Sequence, residues 1–333
     1  MSSSSLDGTV LISGGAGYIG SHTVRSLREA GRDVVVLDSL ELGRREAVID
    51  APIVVGDIRD NDLVTATCNE HGVAQLVHFA AYKAVGESME SPAKYWRNNV
   101  AGSVELFDAC LAAGVEDVVF SSSCSVNGTP PSVPVVESHP IAPESVYAES
   151  KAMVEKILYW YGQTSPMRSV SLRYFNAAGA SVDGRNGEDW TYSFNLIPHV
   201  MKALLLPDHS MKVFGDDYDT PDGTCIRDYI HVEDLADAHV RALDYLGNGG
   251  ETTAVNVGTG TGSSVFDVIN AAAEIAGKPV PHSIEPRRTG DPVATYADPT
   301  YAKDVLGWAA QHDLQSIVES AYTWHSSQLD GTR

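Results

Sequence analysis

Thr9-Val10-Leu11-Ile12-Ser13-Gly14-Gly15-Ala16-Gly17-Tyr18-Ile19-Gly20 is the stretch on which the fold turns. Its first four residues are an apolar run of the length of a buried strand. Gly14-Gly15-Ala16-Gly17 then reads as a tight turn. Residues 18–30 continue at helical spacing, with Ile19, Val24 and Leu27 on one face and Gly31 as a stop. Val34-Val35-Val36-Leu37 is the next strand, and it ends at Asp38.

Gly15, Gly17 and Gly20 fit G-x-G-x-x-G, and Gly14, Gly17 and Gly20 fit G-x-x-G-x-x-G. Such spacing is weak by itself in a chain with 29 glycines. Its context, after a strand and at the start of a helix, gives it weight. Glycines there let the backbone approach a pyrophosphate, and the helix N-terminus faces that anion. The competing reading is a tight turn with no ligand. Asp38 follows 18 residues after Gly20. A carboxylate there accepts hydrogen bonds from an adenosine ribose and repels a 2′-phosphate, which favours NAD over NADP. Asp57, at the end of the next strand, is placed either to meet the adenine or to hold its own turn.

Further apolar strands are expected at Ile53–Val55, Leu76–Phe79, Val118–Phe120 and Val170–Leu172, with helices at 94–113 and 146–162. Continuous Val/Leu/Ile strands alternating with helices predict an α/β fold with a doubly wound parallel sheet covered on both faces. After residue 178 the rhythm changes. Gly179 to Asp189 is loop-like, Pro198, Pro207 and Pro221 interrupt the chain, and a helix near 232–246, a strand near 253–257 and a helix near 264–276 follow. This half reads as a smaller C-terminal α/β domain forming the other wall of a cleft. The expected division is a disordered Ser-rich tail over 1–8, a cofactor domain over 9–178 and a substrate domain over 179–333, with a boundary the chain can cross more than once.

The chain has 333 residues, about two domains' worth at ~150 residues each. With 43% apolar residues it can bury a sizeable core, which excludes disorder as its main state. Its net charge of −21 argues against binding nucleic acid or an anionic membrane through bulk charge. An anionic substrate therefore needs a local basic pocket. Cys68, Cys110, Cys124 and Cys225 show no metal-binding spacing, so no metal is expected and reduced cytoplasmic thiols are the simplest reading. No apolar run is long enough to span a membrane, and the N-terminus has no signal-peptide core.

Tyr147-Ala148-Glu149-Ser150-Lys151 is a Y-x-x-x-K, whose i and i+4 positions share a helix face. The strand Val118–Phe120 runs into Ser121-Ser122-Ser123, which brings hydroxyls to the same sheet edge. A tyrosine with a reference pKa near ~10 is a poor base at neutral pH. A nearby lysine and a cationic nicotinamide favour its phenolate, and Ser123 can share the proton. Together with the glycine turn and Asp38, these residues describe hydride chemistry on a substrate hydroxyl.

This set resembles the extended short-chain dehydrogenase/reductases, and within them the UDP-galactose 4-epimerases, from Gly14 to about Trp324. The stretches that carry the resemblance are Gly14–Ser21, His78–Ala81 with Lys83–Ser88, Phe120–Ser123, Arg173–Asn176 and Asp222–His231. The resemblance implies a Rossmann domain with a sugar-nucleotide domain, NAD that is not consumed, a UDP-sugar substrate and a homodimer using helices such as 94–113 and 146–162. It implies that Tyr147 takes the proton of the sugar 4-hydroxyl, that Ser123 bridges the 4-oxygen, and that Lys151 holds the nicotinamide ribose. Around the cofactor it places Gly14, Gly17, Tyr18, Ile19 and Gly20, then Asp38, Asp57 and Ile58. Phe79, Ala80, Ala81, Lys83 and Tyr174 complete that set. Around the substrate it places Lys83, Asn176, Asn195, Leu196 and Tyr229. Arg227 and Arg288 match diphosphate-binding arginines, whose forked guanidinium suits phosphate oxygens. Asp291 matches a uridine ribose contact, and Phe214 the residue packing on uracil. Thr295 matches the position that sets room for the hexose 2-substituent, so N-acetylated sugars are expected alongside UDP-glucose and UDP-galactose. Tyr296 is its immediate neighbour.

Asn127 stands where the family usually has Tyr, near the nicotinamide, and Tyr82 and Ala148 also vary. Nucleotide-sugar 4,6-dehydratases share the fold but usually carry Asp-Glu where Cys124 and Ser125 stand. Decarboxylating relatives usually carry Glu at Ser125. A UDP-glucuronate or UDP-pentose 4-epimerase needs only a polar or basic pocket and stays open. A non-catalytic NAD sensor would be free to lose Tyr147 or Lys151, and this chain keeps both. His78 and His22 read as structural, and Tyr159-Trp160-Tyr161 as packing or a partner-facing surface.

Overall fold

The computed structural model describes residues 8–288 and 290–330. Most of the segment expected to be a disordered tail, residues 1–7, lies outside them. In chain order the strands are β1 (Thr9–Ser13), β2 (Val34–Asp38), β3 (Ile53–Val55), β4 (Val73–His78), β5 (Asp117–Ser121), β6 (Arg168–Tyr174) and β7 (Asn176–Ala178), then β8 (Met211–Phe214), β9 (Ile226–Arg227), β10 (Tyr229–His231), β11 (Thr253–Val257), β12 (Ser263–Ser264), β13 (His282–Glu285) and β14 (Ala294–Thr295). The helices are α1 (Tyr18–Glu29), α2 (Asn61–His71), α3 (Val85–Glu90), α4 (Pro92–Tyr95), α5 (Gly102–Ala112), α6 (Val146–Thr164), α7 (Leu196–Leu205), α8 (Val232–Gly247), α9 (Val265–Ala276), α10 (Thr300–Leu306) and α11 (Leu314–Asp330).

Seven strands pair in the order β11-β6-β5-β4-β1-β2-β3, all parallel. The apolar runs are buried on both faces. Val10, Ile12, Val34 and Val36 face a core shared with α1 and α8. Leu11, Val35 and Leu37 face a second core with Val64 of α2, Leu106 and Phe107 of α5, and Leu158 of α6. Period-two alternation within an unbroken apolar strand thus feeds two layers of helices. The direction of winding reverses between β1 and β4, and ligands of such sheets bind at that switch, beyond the strands' C-terminal ends.

One expectation is made definite and one is revised. The strand expected near 253–257 belongs to the large sheet, a crossing of the boundary that the expected division allowed. It pairs with β6 at the edge of the large sheet, so the chain returns to the first layer after leaving it. Sheet membership depends on pairing partners distant in sequence, which local periodicity does not carry. The helix expected over 94–113 is broken into α4, a π-helical segment Trp96–Ala101 and α5. Such wide turns recur at functional sites. The rest of the chain packs α7, α9 and α11 around a third core with Met211, Val213 and Tyr229, beside small sheets β10-β7, β12-β9-β14 and β13-β8.

Candidate active site

The glycine turn has the shape a dinucleotide needs. Gly14 has φ +76°, and a Cβ there would lie 2.6 Å from the Ala80 nitrogen. A Cβ on Gly20 would run into the Gly14 carbonyl oxygen. Gly17 is the N-cap of α1 and leaves its first turn without a side-chain cap, open to an anion. Asp38 is buried at the end of β2, where its carboxylate accepts from Ala16 N (2.9 Å) and Leu40 N (2.8 Å). Leu40 is held at φ +59° by that bond. These features fit NAD: the turn is closely packed, its helix end is bare, and a buried acid stands at the end of the neighbouring strand.

Other cofactor candidates fall around this turn. The backbone of Phe79 and Ala80 bonds to Ser13 O, which ties the 79–81 segment to β1. Tyr18 donates its hydroxyl to Gly179 O at 2.7 Å. Ile19 and the buried Ile58 pack into the two cores. Asp57 is used locally, because its carboxylate accepts from Arg59 N and from Nε and Nη2 of the Arg59 guanidinium. Arg59 consequently holds the Asp57 carboxyl below its ordinary pKa.

The catalytic candidates meet where the sheet edge expectation puts them. Ser145 caps α6 by accepting from Ala148 N, and Ser88 Oγ accepts from Tyr147 N at 3.2 Å. The phenol and the ammonium thus enter from one helix face, both buried. Lys151 Nζ donates to Ser121 O at 2.7 Å and lies 4.7 Å from the Phe120 ring centroid. Burial lowers the Lys151 pKa to about 7. Burial also pushes the Tyr147 phenol well up, Tyr174 adds to that, and a hydrogen bond with Ser123 opposes it. Ser123 Oγ accepts from Ser125 N and pairs with Ser125 Oγ at 2.9 Å. Tyr174 is linked to Ser121 Oγ at 3.0 Å. Burial raises the Cys124 thiol to about 12, so it is no acid or base near neutrality.

The substrate candidates converge from the second half. Asn176, Asn195, Leu196 and Tyr229 line one crevice. Arg227 sits in the middle strand of β12-β9-β14, in register with Thr295, and pairs with Asp291 at 3.6 Å. The Arg288 guanidinium lies 3.8 Å over the Phe214 ring. Lys83 is exposed and reaches Glu188 at 3.7 Å.

Several organising residues escaped the sequence reading. Buried Glu188 receives Lys83 and Asn195 Nδ2 (3.2 Å), joining a cofactor candidate to a substrate candidate. Buried Asp228 accepts from Thr259, Gly260 and Ala297 and so ties two segments, 259–260 and 297, to the junction of β9 and β10. Asn99, in the π segment, grips Tyr82 through both its N–H and its C=O and reaches Ser150 on α6. A signal existed for Asn99 alone, as a polar amide on an inward stripe with Tyr95, Ser103 and Leu106. Asn127 is not left loose by its departure from the usual Tyr, since its amide pins His139 O and Pro140 O. His78 is a satisfied core histidine between Ser13 and Ser103.

A turn shaped for a dinucleotide, with a phenol, an ammonium and a hydroxyl at the same sheet edge, belongs to the nicotinamide-dependent enzymes of the extended short-chain dehydrogenase/reductase kind. Comparison narrows this: residues 10–258 match the NAD dependent epimerase/dehydratase family, and the chain belongs to it. It is 47% identical over 322 residues to a UDP-glucose 4-epimerase of Rhizobium meliloti, covering 97% of this chain and 98% of that one. The structure resembles UDP-glucose 4-epimerase from Brucella ovis in complex with NAD (TM-score 0.93, 44% identity, 95% and 97% of the two chains). It also resembles the enzyme from Stenotrophomonas maltophila with bound NAD and formylated UDP-arabinopyranose (TM-score 0.94, 38% identity, 97% and 99%).

Proposed function

We propose that this enzyme interconverts UDP-glucose and UDP-galactose through a transient 4-keto sugar. The observation that carries the reading is the convergence of Tyr147, Ser123 and Lys151 at the end of β5, in the sheet whose first strand leads into the glycine turn. Near-complete coverage of UDP-glucose 4-epimerases supports it. When bound, NAD supplies an oxidant that is regenerated within each cycle. Tyr147 Oη takes the 4-hydroxyl proton and later returns it. Ser123 Oγ holds the 4-oxygen, and Lys151 supplies the positive charge that offsets the burial of the phenolate. Arg227 and Arg288 hold the diphosphate, with Asn176, Asn195, Leu196, Tyr229, Phe214 and Asp291 around sugar and uridine. A diphosphate anchored at one end leaves the keto sugar free to turn its other face. Incubation with UDP-glucose and proton NMR of the anomeric region tests this: a UDP-galactose signal approaching equilibrium is expected, and no signal even with added NAD overturns it.

The small side chain of Thr295, in register with Arg227, supports acceptance of UDP-GlcNAc and UDP-GalNAc. Thr295 and Tyr296 are consecutive around the short strand β14 and so point to opposite faces. The Tyr296 ring lies against Gly262 and leaves the other face to the smaller residue. Thr295→Tyr should cut turnover of the N-acetylated sugars about tenfold or more and largely spare the plain hexoses. Equal loss on both would place the gate elsewhere.

The division into a cofactor domain over 9–178 and a substrate domain over 179–333, with β11 returned to the first, fits these roles. The exposed Tyr159 and Trp160 on α6 support a homodimer through that helix. Four free thiols suit the reducing cytoplasm, where galactose metabolism would use the reaction. Among the described residues no helix is long and apolar enough to cross a membrane.

A further inference from the structure

Two loops rest on the glycine turn from opposite sides. The loop after β2, residues 39–44, packs on Ala16: Arg44 N donates to Ala16 O at 2.9 Å, and a Cβ on Gly43 would lie 2.9 Å from the Ala16 Cβ. The segment after β4, residues 79–84, packs on Gly14 through Ala80. β2 and β4 flank β1, so a link between these loops passes above the turn where the pyrophosphate lies. One such link exists. Tyr82 Oη donates to Glu41 Oε2 at 2.6 Å.

Tyr82 is firmly seated on its own side. Asn99 takes its N–H and its C=O, at 2.9 Å each. Lys94 Nζ sits 3.8 Å above its ring centroid, and Lys94 is itself bonded to Glu87 at 2.7 Å. Burial and the Glu41 carboxylate raise its pKa to about 12, so the hydroxyl keeps its donor proton through neutral pH. On the outer side the ring borders a cavity of about 530 Å³, also lined by Arg59, Lys94, Arg97 and Asn98.

We propose that the Tyr82–Glu41 bond is a strap over the dinucleotide that sets how slowly NAD leaves the enzyme. The idea rests on NAD being the resident cofactor. It gives Tyr82 and Glu41 a shared role, and it makes cofactor retention a property of two loops as well as of the glycine turn.

The test uses purified holoenzyme and the single variants Tyr82→Phe and Glu41→Ala, each of which removes one partner of the bond. NAD release is followed after dilution into an excess of an NAD-consuming enzyme. Each variant should release NAD about fivefold faster, the worth of one partly exposed hydrogen bond. The double variant should be no faster than the singles, because both remove the same bond. Melting of the NAD-free proteins distinguishes a loosened fold from an opened strap, and Glu41→Ala carries the test if Tyr82→Phe folds poorly. Release at the wild-type rate by NAD-loaded variants overturns the strap. A wild-type protein that binds no NAD overturns the cofactor reading beneath it.

Discussion

Tyr147 shows how little of a catalytic residue's behaviour is local. Its spacing to Lys151 places both groups on one face of α6, but burial works against the phenolate and the ammonium alike. Burial thus favours the neutral forms of both groups, and the phenol gives up its proton only once another positive charge stands alongside. Removing the hydroxyl keeps the shape and deletes the base. Tyr147→Phe should lower kcat by about 10²–10⁴-fold, measured by anomeric NMR, with bound nucleotide released on denaturation still equimolar with protein. A Phe variant within a few-fold of wild type would assign the proton to another group. Asp38 and the Tyr–Lys pair were legible because their chemistry sits at fixed offsets from a strand or within one helix. Glu188 and Asp228 were not, because their partners lie on segments brought together only by folding.

The βα turn is the smallest element that carries function here. Gly20 stands one helical turn beyond the glycine bend, facing the carbonyl of Gly14 with no room for a side chain. Gly20→Ala should push α1 away from β1, so the protein should purify largely free of NAD and melt several degrees lower. Ultraviolet absorbance of released nucleotide and a melting curve check both; full NAD occupancy would show the turn has slack. The π segment makes the complementary point. Helical periodicity placed an element over 94–113, but the widened turn at Trp96–Ala101, which carries Asn99, has no period to betray it.

At the scale of the whole molecule, folding buries five histidines in neutral form. Burial lowers His22, His239 and His325 to about 4, and His78 and His231 to about 3. Unfolded histidines titrate near ~6.5. Between those values the unfolded chain binds more protons, so this stability is present above pH ~6.5 and is lost as pH falls toward about 4. Each histidine contributes at most about 1.4 kcal/mol per pH unit. Glu137, Glu188, Glu233 and Asp228, raised by burial, oppose this in part. The melting temperature should therefore drop from pH 7 to pH 5, and the five imidazole NMR signals should not titrate above pH 5. A titration near 6.5 by any of the five would contradict the burial argument. The same contrast closes the account. The parallel sheet, the dinucleotide turn, Asp38 and the Tyr–Lys pair could be read from the chain because strand, turn and helix chemistry act over a few residues. The place of β11, the meeting of Arg227, Asp291 and Thr295, the Glu188 bridge and the Tyr82–Glu41 bond came from packing alone. Each joins residues whose separation along the chain leaves no pattern, and whose contact exists only once two hydrophobic layers have closed on the sheet between them.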